Sequence, residues 1–236
     1  QGYDPIQDPL HGAEEIPAEI TGCPAYIVHV SSKAGLKELL RHRERGGSPI
    51  YAETCIHYLT HTKNSSAGVL AKVNPPLREQ EDIDFLWESL ANGDIDTVGT
   101  DHCLLTRSQK KDIWSAVPGF PGIAMLLPIL LSEGVNKGRI TLEKVAEVAS
   151  CNAAKIFGLY PKKGTIRVGS DADLVVVDLD LEQTVTTALL QSASDFSIYE
   201  GWNMKGWPIM TMLRGEVIMK DGKVLNKEGY GEYLKR

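Results

Sequence analysis

The feature that most constrains the fold is an alternation of strand-like and helix-like segments. Residues 25–30 read AYIVHV, a β-branched and aromatic run typical of a buried strand, and residues 49–55 form a second such run. The segment between them starts after two serines that can cap a helix, carries leucines at helical spacing and ends at a Gly-Gly pair. A strand, a helix and a strand in succession indicate a parallel α/β arrangement.

The alternation continues along the chain. Residues 81–92 predict a helix with one apolar face, and residues 95–99 predict a strand that leads directly into Asp101. Helical patterns return at 123–133 and 141–157. Polar residues thus follow the ends of strands, and in a barrel of eight β/α units those strand ends carry the active site.

The character of the sequence changes after Gly158. Short strand-like runs separated by Gly and Asp turns lie at 165–166, 172–178, 208–214 and 216–219, and the turn dipeptide Asp221-Gly222 follows them. We therefore predict two parts, a partial barrel over residues 1–158 and a small β-rich subdomain over residues 159–236.

Composition excludes several classes of function. Acidic and basic residues are interspersed and give a net charge of −6, which argues against a nucleic-acid partner. No run approaches the roughly 18 apolar residues that a membrane span needs. The longest apolar run, 122–131, is interrupted by Pro128 and predicts a buried helix. Four scattered cysteines without a CxxC pair, and no signal peptide, predict reduced thiols in a cytoplasmic protein.

Asp101 and His29 are the first candidates for chemistry. Asp101, in VGTDHC, lies where a barrel exposes catalytic side chains, and a carboxylate there can bind a metal or take up a proton; it could equally cap the next helix. His29, in YIVHVSS, could be a metal ligand or a buried histidine satisfied by one hydrogen bond. The ligand interpretation of His29 gains weight because both residues would end strands of one barrel.

The other histidines give weaker signals. His57 and His61 are four residues apart, but no Glu follows His57 as a helical zinc motif requires. We predict a structural or substrate-side role for His57, a solvated His61, and surface positions for His11 and His42. His102 adjoins Asp101 and could orient it.

Two loops could place backbone groups against a ligand. Asn74-Pro75-Pro76 is conformationally rigid, which suits a carbonyl or amide held against a substrate, although it could be a simple turn. Gly119 and Gly122 could allow close approach of the backbone, or could be hinges of an ordinary loop.

Taken together, these segments resemble the amidohydrolase superfamily, in particular its cyclic-amide branch of dihydropyrimidinases, hydantoinases, allantoinases and dihydroorotases. The resemblance covers residues 21–224. It rests on TGCPAYIVHVSS, YAETCIHYL, VNPPLR, GDIDTVGTDHC, CNAAKIFGLYPKKGTIRVGSDADLVVVD, IYEGWNMKGWP and LRGEVIMKDGKV. The ETC and IYEGW stretches favour hydantoinases and dihydropyrimidinases, whereas the His in ETCIHYL favours allantoinases and NPPLR favours dihydroorotases.

The resemblance implies a fold, an activity and roles for residues. It implies the carboxy-terminal part of a (β/α)8 TIM-type barrel plus a small β-rich subdomain, in a homo-oligomer that hydrolyses a C–N bond of a small cyclic amide. It further implies two zinc ions bridged by a carboxylated lysine, with His29 and Asp101 as ligands and Asp101 as proton carrier. The backbone at Asn74 and the loop from Gly119 to Gly122 would hold the substrate.

The sequence departs from the family pattern at the remaining ligands. It contains no His-x-His pair and no lysine upstream of His29, and residues 1–20 fit poorly to the helix expected before the His29 strand. Two ligands do not hold a zinc pair. We therefore expect either a piece of a longer enzyme or a truncated, non-catalytic relative acting as an assembly protein. The retention of His29 and Asp101 favours the enzyme.

Overall fold

A computed structural model describes residues 20–226 and 228–235. His11, for which the sequence predicts a surface position, lies outside the described residues. The elements are numbered along the described part of the chain.

A parallel sheet forms the first half of the structure. Its strands are β1 (Ala25–Ile27), β2 (Ile50–Cys55) and β3 (Thr97–Gly99), in the order β1-β2-β3. Helix α1 (Lys33–Glu44) connects β1 to β2, and α2 (Gln80–Asn92) precedes β3. The predicted strand–helix–strand unit is confirmed.

Capping groups fix where the two long helices begin and end. The Ser32 hydroxyl accepts a hydrogen bond from the Gly35 N–H, 3.1 Å between O and N, which satisfies a free donor in the first turn of α1. Glu79 and Asp82 form a reciprocal capping box at the start of α2. The helix α2 ends at Gly93, whose φ of 89° is left-handed.

One apolar core joins these helices to the sheet. Leu36 and Leu39 of α1 and Leu86 and Leu90 of α2 are fully buried, and they belong to one cluster with strand residues such as Ala52. Each such leucine contributes about 1.5–3 kcal/mol by leaving water. The packing of α1 and α2 therefore stabilises the parallel sheet that carries His29 and Asp101.

The two later helical regions are less regular than predicted. The residues predicted as one helix at 123–133 form a 3₁₀ turn (Ile123–Met125), α3 (Leu126–Ile129) and a π-helical segment (Leu130–Val135). Pro128 lies in the first turn of α3, where its missing N–H costs no hydrogen bond. The second region consists of α4 (Leu142–Ala146), a π-helical segment (Glu147–Cys151) and α5 (Asn152–Ile156). Shorter 3₁₀ turns are Gly68–Ala71 and Arg107–Gln109.

An antiparallel sheet follows. Its strands are β4 (Leu174–Thr184), β5 (Asn203–Leu213), β6 (Glu216–Lys220) and β7 (Lys223–Val224), in sequential order, and α6 (Thr187–Leu190) lies between β4 and β5. The predicted turn at Asp221-Gly222 is confirmed, with positive φ at both residues.

The strand predicted at 165–166 is wrong. These residues lie in a bend, and Ile166 is 86% exposed. A short run with an apolar residue forms a strand only where a neighbouring strand can pair with it and a core can bury its apolar side chain.

The antiparallel sheet packs on the π-helical segment Leu130–Val135. The Lys205 N–H donates to the Ser132 hydroxyl, 3.3 Å between N and O, and the Asn136 side-chain amide donates to the Lys205 carbonyl oxygen at 2.9 Å. Gly206 has a φ of 96°, and a Cβ there would lie 2.9 Å from the Leu131 Cβ, so this contact requires glycine.

The division into two parts at residue 158 stays a prediction. Among the described helices, none has both the length and the apolar character needed to cross a bilayer.

Candidate active site

The ends of the parallel strands bring His29 and Asp101 to one edge of the sheet. His29 lies two residues after β1, and Asp101 lies two residues after β3. The Val30 N–H donates to the Glu53 carbonyl oxygen, 2.7 Å between N and O, and the Ile56 N–H donates to the Gly99 carbonyl oxygen at 3.2 Å. These bonds continue the pairing between strands beyond the ends of β1 and β2. They therefore fix the segments that carry His29 and Asp101 relative to β2.

Both candidate ligands have a left-handed backbone, with φ of 45° at His29 and at Asp101. This conformation is uncommon for residues with a Cβ, although His and Asp tolerate it better than most. It costs free energy and persists only where surrounding contacts hold it, which is typical of functional sites. The strands therefore turn sharply at these two residues.

The two side chains are electrostatically coupled. Partial burial raises the pKa of the Asp101 carboxyl, and the nearby His29 ring lowers that pKa in the opposite sense. The His29 Nδ1 is buried and makes no hydrogen bond within the described residues. One imidazole and one carboxylate of this kind are chemically suited to zinc.

The described residues do not complete a metal site. Among residues 20–226 and 228–235, no group of three or more His, Cys, Asp and Glu side chains could hold a metal ion. A catalytic zinc ordinarily has three protein ligands and one open position. Within the described residues, His29 and Asp101 therefore supply two side chains of the types that bind zinc, which is fewer than a catalytic zinc ordinarily has.

His102 holds the loop from Gly119 to Gly122, which we call the glycine loop. Its Nδ1 accepts hydrogen bonds from the N–H groups of Gly122, at 3.1 Å, and Ile123, at 3.3 Å. A backbone bridge pairs His102 with Phe120, and the Cys103 N–H donates to the Phe120 carbonyl oxygen at 3.1 Å. The bonds made by this ring therefore fix the loop beside Asp101.

The glycine loop in turn contacts the segment that leads to Asn74. The Gly119 N–H and the Lys110 Nζ both donate to the Lys72 carbonyl oxygen, each at 2.9 Å. Gly119 has a φ of 102°, and a Cβ there would lie 2.8 Å from the Cys103 Sγ, so the position requires glycine. Gly122 does not, because its φ is −152° and a Cβ would meet atoms only at 3.5 Å or beyond.

The Asn74-Pro75 peptide is cis, and Asn74 is exposed. The Tyr58 hydroxyl donates to the Pro75 carbonyl oxygen at 2.7 Å, which anchors the loop on the core. Gly122 is thus bonded to His102, next to Asp101, and Gly119 is bonded to Lys72, two residues before Asn74.

His57 lies beneath the glycine loop and away from solvent. Its ring is fully buried, 4.1 Å from the Tyr58 ring centroid and 4.9 Å from the Phe120 ring centroid, with the Phe120 ring edge-on. Burial lowers the pKa of His57 to about 3, so the ring is neutral at physiological pH. Its geometry agrees with a structural role better than with direct contact to a substrate.

The solvated position predicted for His61 is wrong. Only 5% of His61 is exposed, and its ring stacks on Trp202 with centroids 4.9 Å apart. Its Nε2 lies 3.2 Å from the Ile198 carbonyl oxygen, and burial lowers its pKa to about 4. The surface position predicted for His42 is also wrong, because the Gly47 backbone packs against its ring.

The sequence interpretation missed two charged residues, the partly buried Glu53 and the buried Lys110. Glu53 lies on β2, where burial raises the pKa of its carboxyl. Lys110 is 3% exposed, and burial lowers the pKa of its amine to about 8. An acidic residue inside an otherwise buried strand is a signal that could have identified Glu53. Lys110 stands in a polar run with Lys111 and gives no such signal.

Comparison with known proteins places this arrangement in a family. Residues 8–218 match the sequence profile of the group described as "Amidohydrolase family". The chain belongs to the amidohydrolase family, which confirms the resemblance seen in its motifs.

The relatives include hydantoinases. The chain is 40% identical to an L-hydantoinase of Paenarthrobacter aurescens over 221 residues, which are 91% of this chain and 48% of the relative. It is 40% identical to a D-hydantoinase of Ralstonia pickettii over 229 residues, which are 93% of this chain and 50% of the relative. The chain spans about half the length of the curated relatives it matches.

Solved structures agree with this assignment. The L-hydantoinase (dihydropyrimidinase) from Arthrobacter aurescens superposes with a TM-score of 0.92 at 37% identity, covering 96% of this chain and 51% of that one. A dihydropyrimidinase from Brevibacillus agri gives a TM-score of 0.90 at 35% identity, with the same coverage. The α/β fold is therefore that of hydantoinase structures, and this chain accounts for about half of it.

Proposed function

We propose that this chain supplies one side of the active site of a zinc-dependent enzyme that hydrolyses a C–N bond of a small cyclic amide. The observation that carries the proposal is the pair His29 and Asp101. They follow β1 and β3, the two strands that flank β2, with the same left-handed backbone conformation, and they are electrostatically coupled. Hydantoinase relatives at 40% identity support the substrate class.

In this proposal the His29 imidazole and the Asp101 carboxylate are two ligands of the zinc site. Zinc, when bound, acts as a Lewis acid that polarises a carbonyl group and makes water more acidic. The other ligands of a two-zinc site, including a carboxylated lysine, would lie outside the described residues. Zinc itself is supported by the donor types alone, because one imidazole and one carboxylate suit it.

Asp101 would also move the proton. Its carboxylate takes the proton from the attacking water as the new C–O bond forms, and it returns that proton to the ring nitrogen as the C–N bond breaks. Asp101 is exposed at the strand-end edge, as this role requires. His102 would hold the adjacent loop through its bonds to Gly122 and Ile123.

The two loops would hold the ring of the substrate. Asn74 is exposed beside a cis peptide, and Gly119 is bonded to the Lys72 carbonyl oxygen two residues before Asn74. Backbone groups in these loops could therefore bind the amide of a ring without a large movement. Rigid backbone donors and acceptors of this kind orient a substrate at low entropic cost.

The proposal also includes a cellular compartment and an oligomeric state. All four cysteines lie within the described residues and are free, which supports a reducing compartment such as the cytoplasm. The exposed apolar residues of β4, among them Val175 and Val176, support a homo-oligomer. The retained geometry of His29 and Asp101 favours an enzyme over a non-catalytic assembly protein.

A chimera tests the proposed activity. The part of the Paenarthrobacter aurescens L-hydantoinase that this chain does not match would be fused to this chain, and opening of a hydantoin ring would be measured. We expect ring opening, with a loss of about 100- to 10,000-fold in the Asp101→Asn variant. Asp84→Asn, on the exposed face of α2, is the matched control and should be fully active. A folded chimera that opens the ring equally well with Asp101→Asn would refute the proposal.

A further inference from the structure

Glu53 connects the strand that bears His29 to the middle of the parallel sheet. The Tyr26 hydroxyl donates to the Glu53 Oε2, 2.8 Å between the oxygens. Because that single proton is used, the Thr97 hydroxyl, 2.5 Å from the Tyr26 oxygen, is the donor of the next bond. The backbone N–H of His29 lies near the same carboxylate and lowers its pKa, as a hydrogen-bond donor does.

The same carboxylate lies against the strand that bears Asp101. A Cβ on Gly99 would be 2.9 Å from the Glu53 Cδ and 3.0 Å from each carboxylate oxygen. Gly99 is two residues before Asp101, and β2 pairs directly with β3 at this point through Cys55 and Gly99. Glu53, itself on β2, therefore contacts both neighbouring strands, at Tyr26 on β1 and at Gly99 on β3.

We propose that Glu53 is a positioning residue that sets the separation and backbone conformation of His29 and Asp101. This inference rests on the proposed role of those two residues as metal ligands. Glu53 does not touch the reacting atoms, and it acts through the His29 backbone on one side and the Gly99 backbone on the other.

Two physical arguments support this role. First, a hydrogen bond from an N–H to a carboxylate is about twice as strong as a bond between neutral groups, so it can hold His29 in its left-handed conformation. Second, removing even part of a carboxylate from water costs free energy that an apolar residue of similar size would not cost. Glu53 carries that cost at a position from which its side chain contacts both neighbouring strands, next to the two residues with a left-handed backbone.

The backbone amide proton of His29 reports directly on this contact. In a ¹H–¹⁵N spectrum of the 236-residue chain, Glu53→Gln should move the His29 amide proton upfield, because a neutral acceptor replaces a charged one. Val30 is an internal control, because its N–H donates to the Glu53 main-chain oxygen and should not move. An unchanged His29 amide, or an equal shift at Val30, would overturn the inference.

A second variant covers the case in which Glu53→Gln does not fold. Tyr26→Phe keeps the charge of Glu53 and removes only the hydroxyl that holds one carboxylate oxygen. It should shift the His29 amide proton, while the Val30 amide again stays in place. No shift at His29 in this variant would count against the role of Glu53 as part of a fixed network.

Zinc binding provides a readout that a merely structural role would not move. Titration of the chain with zinc chloride, followed at the resonances of His29 and Asp101, should show binding about 10- to 100-fold weaker in Glu53→Gln. Glu216→Gln, at an exposed position on β6, is the matched control and should bind as the unmodified chain does. Equal affinity in both variants contradicts the inference.

The two proposals fail in different ways. If zinc moves no resonance of His29 or Asp101 in the unmodified chain, the ligand assignment in the proposed function is wrong. In that case the amide shift at His29 still decides whether Glu53 holds this backbone.

Discussion

The two sheets of this chain differ in how they are covered. In the parallel sheet, four of the six residues of β2 are buried, as expected for a strand with a layer on each face. In the antiparallel sheet, β4 is eleven residues long and none of them is buried. Val175 and Val176 are 46% and 40% exposed although both are apolar.

This difference shows which sheet the described residues cover by themselves. The strands that carry His29 and Asp101 stand on a continuous apolar core that α1 and α2 complete. The antiparallel sheet has apolar side chains that the described residues leave uncovered. Since the chain spans about half of its relatives, the candidate site lies in the half of the structure that the described residues themselves stabilise.

The largest effect should come from a matched pair of core truncations. Leu86→Ala on α2 removes a fully buried side chain and should lower the free energy of unfolding by about 2–5 kcal/mol. Val176→Ala on β4 should cost less than about 1 kcal/mol, because its side chain is already 40% in contact with solvent. Urea unfolding measures both. Equal losses would show that the two sheets are equally well covered and would remove the contrast.

Acid should destabilise the parallel half through two buried histidines. The pKa of His57 is about 3 and that of His61 about 4 in the folded chain, both below the ordinary value of 6.5. Below pH 6.5 the unfolded chain therefore binds protons that the folded chain does not, and stability falls as pH falls toward these folded values. Each histidine contributes a slope of up to about 1.4 kcal/mol per pH unit.

Replacement of one histidine isolates its share of this slope. His57→Leu should flatten the dependence of unfolding free energy on pH between 6.5 and 5, and it should not destabilise the chain at pH 7, because both ring nitrogens of His57 lack a hydrogen bond within the described residues. Urea unfolding at several pH values measures the slope. A slope equal to that of the unmodified chain would mean that His57 is not the buried neutral ring described above.

A smaller effect should follow from closing the space beside Glu53. Gly99→Ala places a Cβ within 3.0 Å of the Glu53 carboxylate and should cost about 1–3 kcal/mol by overpacking. Gly231→Ala is the control, because a Cβ there meets no atom within 4 Å, and it should change stability by less than about 0.5 kcal/mol. Thermal unfolding monitored by circular dichroism compares them, and similar melting temperatures would show that Glu53 can move freely.

Much of the parallel half could be predicted from sequence because its signals are local. Apolar runs bounded by glycines and serines predicted β1, β2 and α1, and Ser32 caps α1 as expected. His29 and Asp101 were identified from their positions at strand ends, and the structure brings them to one edge of the sheet.

The errors concern burial, which depends on contacts distant in sequence. His61 appears in a polar context, but Trp202 and Ile198, about 140 positions later, cover its ring. Glu53 received no role because its partners Tyr26 and Thr97 lie on two other strands. Periodicity shows which face of an element is apolar and does not show which polar side chains the fold encloses.

Equilibrium dialysis with zinc tests the central claim most directly, using the unmodified chain, His29→Gln and Asp101→Asn. The account predicts that the chain alone retains well under one zinc after dialysis against metal-free buffer, because residues 20–226 and 228–235 supply two ligands where a zinc site needs at least three. It also predicts weak binding at raised zinc concentration that both variants abolish. Retention of about two zinc ions per chain, or weak binding that survives in both variants, would contradict the assignment of His29 and Asp101 as one side of the metal site.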